Sequence, residues 1–302
     1  MNRKVIEKKE IKRWWEYKRQ LRWKNIYKKK DHSSLALNNR MEMILNYFEK
    51  YQKKKIRILE IGFGGGQLAY QIIKKGFNYE GIDVSETLTK VARKRCNKFS
   101  NREYSFKVGS IEEPLKYKKS TFDIVIIAGV LQYALNPDFV FKEIFRVMKK
   151  ESTFICAQTN FYKMHYFFNF RSLLIRLFYI FSNEQLEISN SLRSLLLETN
   201  LKKLFNNSQK KKIKESKFFN KDFVKVDFKF KKRVFYRKKI INLANSNGFK
   251  TLRKDACGPY LHIDYTKNFF WFINFLIETI AKLTPFSFLK ILGESQILIF
   301  RK

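Results

Sequence analysis

Short apolar runs and amphipathic stretches alternate along the middle of the chain. The run Ile56–Ile61 is mostly apolar and stops at glycines, which is typical of a strand buried on both faces of a parallel sheet. A helical pattern, with apolar residues three to four positions apart, follows at 68–75. The alternation continues with predicted strands at 79–83, 104–108, 123–128 and 153–157 and predicted helices at 88–97 and 138–148. It predicts an α/β fold with a mostly parallel sheet.

The pattern differs on both sides of this region. Residues 3–30 predict a basic, aromatic-bearing helix, and residues 31–34 are suited to begin a second one. Further predicted elements are Phe-rich amphipathic helices at 166–181 and 269–283, strands at 224–230, 249–254 and 296–301, and a helix that ends at 247–248. We therefore divide the chain into basic N-terminal helices (1–50), an α/β core (51–160), an inserted lid or substrate region (161–235) and the rest of the core sheet with an amphipathic helical insertion (236–302).

A glycine-rich turn, Gly62-Phe63-Gly64-Gly65-Gly66, follows the first predicted strand directly. Glycines let the backbone turn tightly and let a ligand approach it, and the next helix begins with unpaired N–H groups. A dinucleotide fingerprint requires glycine at position 67, where this chain has Gln67. Asp83 ends the second predicted strand, from where its carboxylate can accept hydrogen bonds from ribose hydroxyls. Together these features predict a site for a small nucleoside with a charged tail.

Several segments, taken together, resemble the motifs of class I S-adenosylmethionine-dependent methyltransferases. Ile58–Gly66 resembles the first motif, and Gly81-Ile82-Asp83-Val84-Ser85 resembles the second. Phe122–Val125, Glu143–Lys149 and Asn247–Phe249 are similar to later motifs of the family. The similarity covers about residues 38–158 and, more loosely, 235–255 and the last strand. It implies a Rossmann-like seven-stranded sheet with a reversed last strand, and S-adenosyl-L-methionine as the cofactor.

The resemblance also implies which residues contact that cofactor. Glu60 is expected near the methionine amine, Asp83 at the ribose and Arg40 at the carboxylate. The full expected set is Arg40, Glu60, Gly62, Gly64, Gly66, Asp83, Ser110, Ile111 and Ala128. Ser110 stands where the family usually has aspartate, and Glu112 is a candidate to compensate for that change.

No general base stands out in the sequence. Tyr133, just beyond the fourth strand, and His165, near the start of the insertion, are candidates for a catalytic role. Packing as a buried aromatic is the competing interpretation of Tyr133. Gln132-Tyr133 replaces a Glu-His pair of the family, which removes the ligands that a metal-assisted relative uses. We therefore predict no metal.

Charge is the main compositional feature, with 63 lysines and arginines against 27 acids and a formal net charge of +36. One interpretation is genome composition, since Lys, Ile, Asn and Phe are all abundant; the other is an anionic partner such as a lipid head group or a polyphosphate-linked glycan. The three cysteines are far apart and predict reduced thiols. The N-terminal residues lack an export signal and no apolar run reaches membrane-spanning length, so we expect a cytoplasmic protein. Peripheral contact with the inner face of an anionic membrane stays open.

The predicted function is methyl transfer, and motifs that the sequence lacks narrow the class of methyl acceptor. There is no Asn/Asp-Pro-Pro-aromatic loop after the fourth strand and no catalytic Pro-Cys motif, so nucleic acid is the less favoured acceptor. The favoured acceptor is a small metabolite or a lipid-linked or surface-glycan intermediate, methylated on oxygen. The alternatives are an RNA or protein methyltransferase that uses the basic surface, and a non-catalytic basic scaffold with the same fold.

Overall fold

The computed structural model of the 302-residue chain describes residues 3–16, 23, 25–28, 32–48, 51, 56–160, 186–188, 232–257, 293 and 295–302. The helices are α1 (Arg3–Glu16), α2 (His32–Phe48), α3 (Gln67–Lys74), α4 (Glu86–Cys96), α5 (Pro137–Val147) and α6 (Arg237–Ser246). The strands are β1 (Arg57–Ile61), β2 (Asn78–Asp83), β3 (Tyr104–Val108), β4 (Phe122–Ala128), β5 (Met148–Thr159), β6 (Leu186–Ile188), β7 (Lys232–Val234), β8 (Lys250–Cys257) and β9 (Ser295–Arg301).

Seven of the strands form one sheet in the order β3-β2-β1-β4-β5-β9-β8. The first five are parallel, whereas β9 runs antiparallel to both β5 and β8. The strand order reverses beside β1, which is the position where open α/β sheets bind ligands. β6 and β7 pair separately as a short antiparallel ladder.

Alternating side chains of the central strands build a core on each face of the sheet. Ile58, Ile124 and Ile126 pack with α2, α3 and α4 on one face. Leu59 and Val125, one position along, pack with α5 and α6 on the other face. A strand that is buried on both faces has a nearly continuous apolar sequence, which explains the apolar runs of β1 and β4.

Local signals fix where two of the helices begin. The Ser85 hydroxyl accepts a hydrogen bond from the Leu88 N–H at the start of α4, and the Asn136 side chain does the same for Phe139 at the start of α5. Such caps satisfy N–H groups that have no partner inside the helix. The cap at Ser85 lies two residues beyond Asp83, so the turn after β2 is held by short-range contacts.

The predicted seven-stranded sheet with a reversed last strand is confirmed. The prediction of one helix over residues 3–30 is wrong, because Asn25 lies in a turn and Ile26–Lys28 form a separate 3-10 helix. The predicted elements at 166–181, 224–230 and 269–283 lie outside the described residues, and the four-part division of the chain stays a prediction. In the part of the chain that is described, no helix is both long and apolar enough to cross a bilayer.

Candidate functional site

A cavity of about 260 Å³ lies at the carboxyl ends of β1, β2, β3 and β4. The glycine turn after β1 forms its floor, and residues of α1, α2 and the loops after β3 and β4 form its walls. The volume is close to the lower end of the range of roughly 300–1,000 Å³ that small-molecule pockets span. The fold thus brings its chemically distinctive segments to one concave surface.

The glycine turn has a backbone shape that other residues do not adopt easily. Gly62 has φ +79°, its N–H donates to the Ile82 carbonyl, and a Cβ added to it would lie 2.1 Å from Cγ2 of Val130. Any side chain at this position would therefore displace the loop after β4. A Cβ added to Gly64 would meet no atom within 4 Å, because this residue borders the open cavity.

Asp83 anchors the turn from the end of β2. Its Oδ2 accepts from the Gly64 N–H at 2.8 Å, and its Oδ1 accepts from the Ser85 N–H at 2.9 Å. Only 7% of Asp83 is exposed, and burial raises its pKa to about 6 although these backbone N–H groups oppose the rise. Each carboxylate oxygen keeps a further lone pair for a donor that enters the cavity.

Glu60 is a second buried carboxyl at the cavity wall. Burial raises its pKa to about 7, a rise that the hydrogen bond from the Tyr79 hydroxyl (2.8 Å to Oε2) opposes. The negative charge of Asp83 adds to the rise, and the positive charge of Arg40 reduces it. Arg40, on α2, is also buried and lines the cavity, where a Cβ added to Gly129 would lie 3.3 Å from its guanidinium.

The loop after β3 provides the cavity wall on the far side of β2. Ser110 and Ile111 both line the cavity, and the Ser110 hydroxyl accepts from the Glu112 N–H at 3.1 Å. Oε1 of Glu112 accepts from the Leu135 N–H at 2.7 Å. Glu112, which the sequence suggested as a replacement for a missing aspartate, thus ties this loop to the loop after β4. Burial raises its pKa, against the effect of that backbone contact.

The structure brings eight of the nine sequence-predicted cofactor residues to the cavity wall: Arg40, Glu60, Gly62, Gly64, Asp83, Ser110, Ile111 and Ala128. Gly66 is not among the residues that line it. A Cβ added to Gly66 would lie 2.7 Å from the Cβ of Ala92, so this glycine allows α3 to pack closely against α4.

Of the two catalytic candidates, only Tyr133 lies in the described part of the chain; His165 lies outside it. Tyr133 lines the cavity but is 7% exposed, and its ring meets that of Trp15 edge-on at 5.3 Å between centroids. Ile11 packs against the same cluster. The aromatic packing that competed with a catalytic role in the sequence interpretation is therefore present, and the catalytic role stays a prediction.

Sequence reasoning missed the contribution of the N-terminal segment to the site. Five of its residues line the cavity: Lys8, Ile11, Trp15, Trp23 and Tyr27. Burial raises the pKa of the Tyr27 hydroxyl, although the charge of Arg40 and a hydrogen bond that Arg40 donates to it oppose the rise. The signal available in the sequence was the concentration of aromatic residues in a short basic segment, which is more than a solvated helix requires.

A family model described as a methyltransferase domain matches residues 52–222, more than half of the chain. The ubiquinone biosynthesis O-methyltransferase of Pelagibacter ubique is 33% identical over 107 residues, which are 35% of this chain and 43% of that protein. The ubiquinone/menaquinone biosynthesis C-methyltransferase of Rickettsia akari is 31% identical over 122 residues, 37% of this chain and 48% of that protein. The chain thus spans less than half the length of these curated relatives.

Solved structures share the fold over nearly the whole chain. A protein of Pyrococcus horikoshii has a TM-score of 0.51 at 19% identity, with 93% of this chain and 95% of that chain covered. An S-adenosylmethionine-dependent methyltransferase of Thermotoga maritima has a TM-score of 0.50 at 16% identity, with 97% and 98% covered. At these identities the likeness concerns the fold alone.

Proposed function

Because this chain belongs to the methyltransferase-domain family, we propose that it transfers a methyl group from S-adenosyl-L-methionine, held in the cavity above the glycine turn. The observation that carries the proposal is the pair of buried carboxyls, Glu60 and Asp83, on either side of a glycine turn that borders open space. A glycine turn alone is found in many strand–helix connections. Two buried acids in the wall of the same cavity call for a ligand with matching donors.

The residues around Asp83 fit the ribose of the cofactor. Its two oxygens each accept one backbone N–H and retain capacity for one more donor, as two neighbouring hydroxyls require. Ser110 and Ile111 then lie beside the adenine, in the wall that follows β3. A Cβ on Gly62 would meet Val130, so glycine at this position keeps the turn close to the loop after β4.

The residues around Glu60 fit the charged end of the cofactor. A carboxyl with a pKa near 7 is incompletely compensated in the free protein, and the ammonium group of a methionine tail is a suitable counter-charge. Arg40, buried in the same wall, is suited to the carboxylate of that tail. Ala128 offers main chain between them.

When bound, the cofactor supplies an electrophilic methyl group on a sulfonium sulfur. The protein's part is to align the acceptor with that methyl group and to exclude water. The half-buried ring of Trp15 and the buried ring of Tyr133 serve the second task, because they close the cavity wall with apolar surface. We assign no general base among the described residues; Tyr133 stays a candidate.

We further propose that the acceptor is a small metabolite or a lipid-linked or surface-glycan intermediate, and that oxygen is methylated. The O-methyltransferase of Pelagibacter ubique, by its name, acts in ubiquinone biosynthesis, which supports a small acceptor with a hydroxyl group. The relative from Rickettsia akari is named a C-methyltransferase, so the choice of atom requires its own test.

Calorimetric titration of S-adenosyl-L-methionine into the wild type, Asp83→Asn and Asp123→Asn tests the cofactor site. Asp123 is a matched control, because it lies at the amino end of β4 and pairs with Lys149. We expect Asp83→Asn to weaken binding by about 10- to 100-fold, the range for hydrogen bonds to a charged group, and Asp123→Asn to bind as the wild type does. Equal affinity of all three proteins contradicts the assignment of Asp83.

The net charge of +36 favours one alternative, an RNA or protein methyltransferase with a basic surface. Salt-sensitive binding of RNA, together with methylation of RNA and of none of a panel of quinone precursors and glycans, would support it. A wild type that binds no cofactor at all would instead support the non-catalytic scaffold and overturn the proposed function.

A further inference from the structure

The N-terminal segment lies across the carboxyl edge of the sheet, over the cavity. We call the described residues 3–16, 23 and 25–28 of this segment the strap. The cavity is therefore enclosed between two walls of different origin. The core supplies one wall, and the strap supplies the other with Lys8, Ile11, Trp15, Trp23 and Tyr27.

Polar contacts tie the strap to the loops after the strands that carry the cofactor site. After β1, Nε2 of Gln67 donates to the Trp23 carbonyl at 2.8 Å. After β3, the Lys8 ammonium pairs with Glu113. The contact with the loop after β4 runs through Arg233 of β7. Its guanidinium donates to the Ala134 carbonyl of that loop at 3.0 Å and lies 3.7 Å from the carboxylate of Glu7 in the strap.

Glu16 makes the most extensive of these contacts, after β2. Its carboxylate accepts from the N–H groups of Glu86 and Thr87 and from Oγ1 of Thr87, the last at 2.6 Å. These N–H groups open α4, where the helix dipole favours a negative charge. Next to this contact the Ser85 hydroxyl donates to the Trp15 carbonyl at 3.2 Å. The strap is thus fastened three residues from Asp83, the proposed ribose anchor.

The apolar contact of the strap with the core is small by comparison. Its buried cluster consists of Ile11 and Tyr133, with Trp14, Trp15 and Leu135 packed against them. This cluster has fewer residues than either core cluster of the sheet, and Ile26 is a further buried residue of the strap, so apolar and polar contacts together hold the strap in place. A ligand seated on Asp83 and Ser110 would lie in the same cavity as this wall.

We propose that the strap closes over the bound cofactor and that Glu16 is the positioning residue that latches it to the start of α4. The inference rests on the proposed function, since it takes S-adenosyl-L-methionine as the occupant. Glu16 is not among the residues that line the cavity, so it touches no reacting group and holds the cofactor through the strap. Because its charge also raises the pKa of Asp83, the test includes a readout of the strap itself. The latch sets how long the cofactor stays bound and how completely water is excluded.

The test is the dissociation rate of the cofactor from the wild type, Glu16→Gln and Glu86→Gln. Tryptophan fluorescence in a stopped-flow instrument reports the strap directly, because Trp14, Trp15 and Trp23 are three of the four tryptophans. Glu86→Gln is the matched control, because it removes a charge at the same helix end. The side chain of Glu86 pairs with Lys90, whereas its contact with Glu16 is made by the backbone N–H, which the substitution keeps.

We expect the cofactor to dissociate about tenfold faster from Glu16→Gln than from the wild type, because a neutral amide makes weaker hydrogen bonds to the start of the helix than a carboxylate does. Dissociation from Glu86→Gln should match the wild type. Thr87→Val removes one donor of the latch and leaves Glu16 charged, so a smaller acceleration is expected. Amide exchange at Glu86 and Thr87 is a second readout. It should accelerate in Glu16→Gln, even without cofactor, while exchange in β1 and β4 stays slow.

Each outcome decides between the two proposals. A wild type that binds no cofactor overturns the proposed function and the latch with it. A wild type that binds, with dissociation rates equal for the wild type and Glu16→Gln, overturns the latch alone. If amide exchange in Glu16→Gln is faster throughout the sheet, the substitution destabilises the protein generally, and Thr87→Val becomes the deciding variant. An unchanged rate of cofactor dissociation from Thr87→Val then also overturns the latch.

Discussion

The free protein is expected to become more stable when the charge of Glu60 is removed. This carboxyl is 3% exposed, and burial raises its pKa to about 7 from a usual value of 4.5. The Tyr79 hydroxyl donates to one of its oxygens, a contact that the amide oxygen of glutamine can also accept. Glu60→Gln therefore keeps the shape and the hydrogen bond, and removes only the buried charge.

The sign and size of the effect follow from proton linkage. A carboxyl whose pKa is higher in the folded protein favours folding while it is protonated, fully below about pH 4.5, and this contribution is lost as the pH rises through about 7. Raising a pKa from 4.5 to about 7 corresponds to about 3 kcal/mol, since one pKa unit is about 1.4 kcal/mol. Glutamine does not ionise, so Glu60→Gln should gain about 1–3 kcal/mol over the wild type above pH 7 and nearly nothing below pH 4.5.

Urea unfolding of both proteins, followed by fluorescence at several pH values between 4.5 and 8.5, measures this difference. Glu86→Gln serves as the control, because a hydrogen bond from Lys90 lowers the pKa of Glu86 and so excludes a gain at high pH. The same Glu60→Gln variant should bind S-adenosyl-L-methionine more weakly, since the methionine amine loses its counter-charge. A stability difference that does not change with pH, or a variant less stable at pH 8 than the wild type, refutes the reasoning.

Three further outcomes are expected. Cofactor affinity of the wild type should fall as the pH drops through about 7, where Glu60 loses its charge, and further below about 6, because protonated Asp83 accepts fewer hydrogen bonds; calorimetry of the wild type and Glu60→Gln from pH 5 to 8 separates the two, and a flat profile of Glu60→Gln counts against the ribose role. Gly66→Ala should lower stability in thermal denaturation by about 1–3 kcal/mol, since the new Cβ would lie 2.7 Å from Ala92. Gly64→Ala should destabilise the protein less than Gly66→Ala does, but should weaken cofactor binding more. Arg146→Met should lower stability by about 2 kcal/mol in urea unfolding, because it removes the donor to the Tyr117 carbonyl, one of two donors to the Leu115 carbonyl and the ion pair with Glu143; an unchanged midpoint would contradict that.

The elements of the core could be predicted from the sequence because short-range patterns encode them. Apolar runs such as Ile56–Ile61 cannot be satisfied except in a strand buried on both faces, and helix periodicity fixes which residues of α3 and α5 face the sheet. The glycine turn and Asp83 were also accessible, since a turn that needs positive φ and a carboxylate at a strand end are local features. The resemblance to a family then supplied the number of strands and the reversed last strand.

Contacts between distant segments were decided only by the tertiary structure. The prediction for residues 3–30 was a single basic, aromatic-bearing helix without a named partner, yet the strap lines the cavity and Glu16 meets Thr87, 71 positions along the chain. Glu112, the candidate to compensate for Ser110, does line the cavity, but the sequence did not show that its carboxylate also accepts from Leu135, nor that Gly66 serves the packing of α3 on α4. A sequence pattern records which residues are buried or turn-forming; which partner they meet depends on how whole elements pack, and a charged side chain takes whichever unpaired N–H group that packing brings within reach.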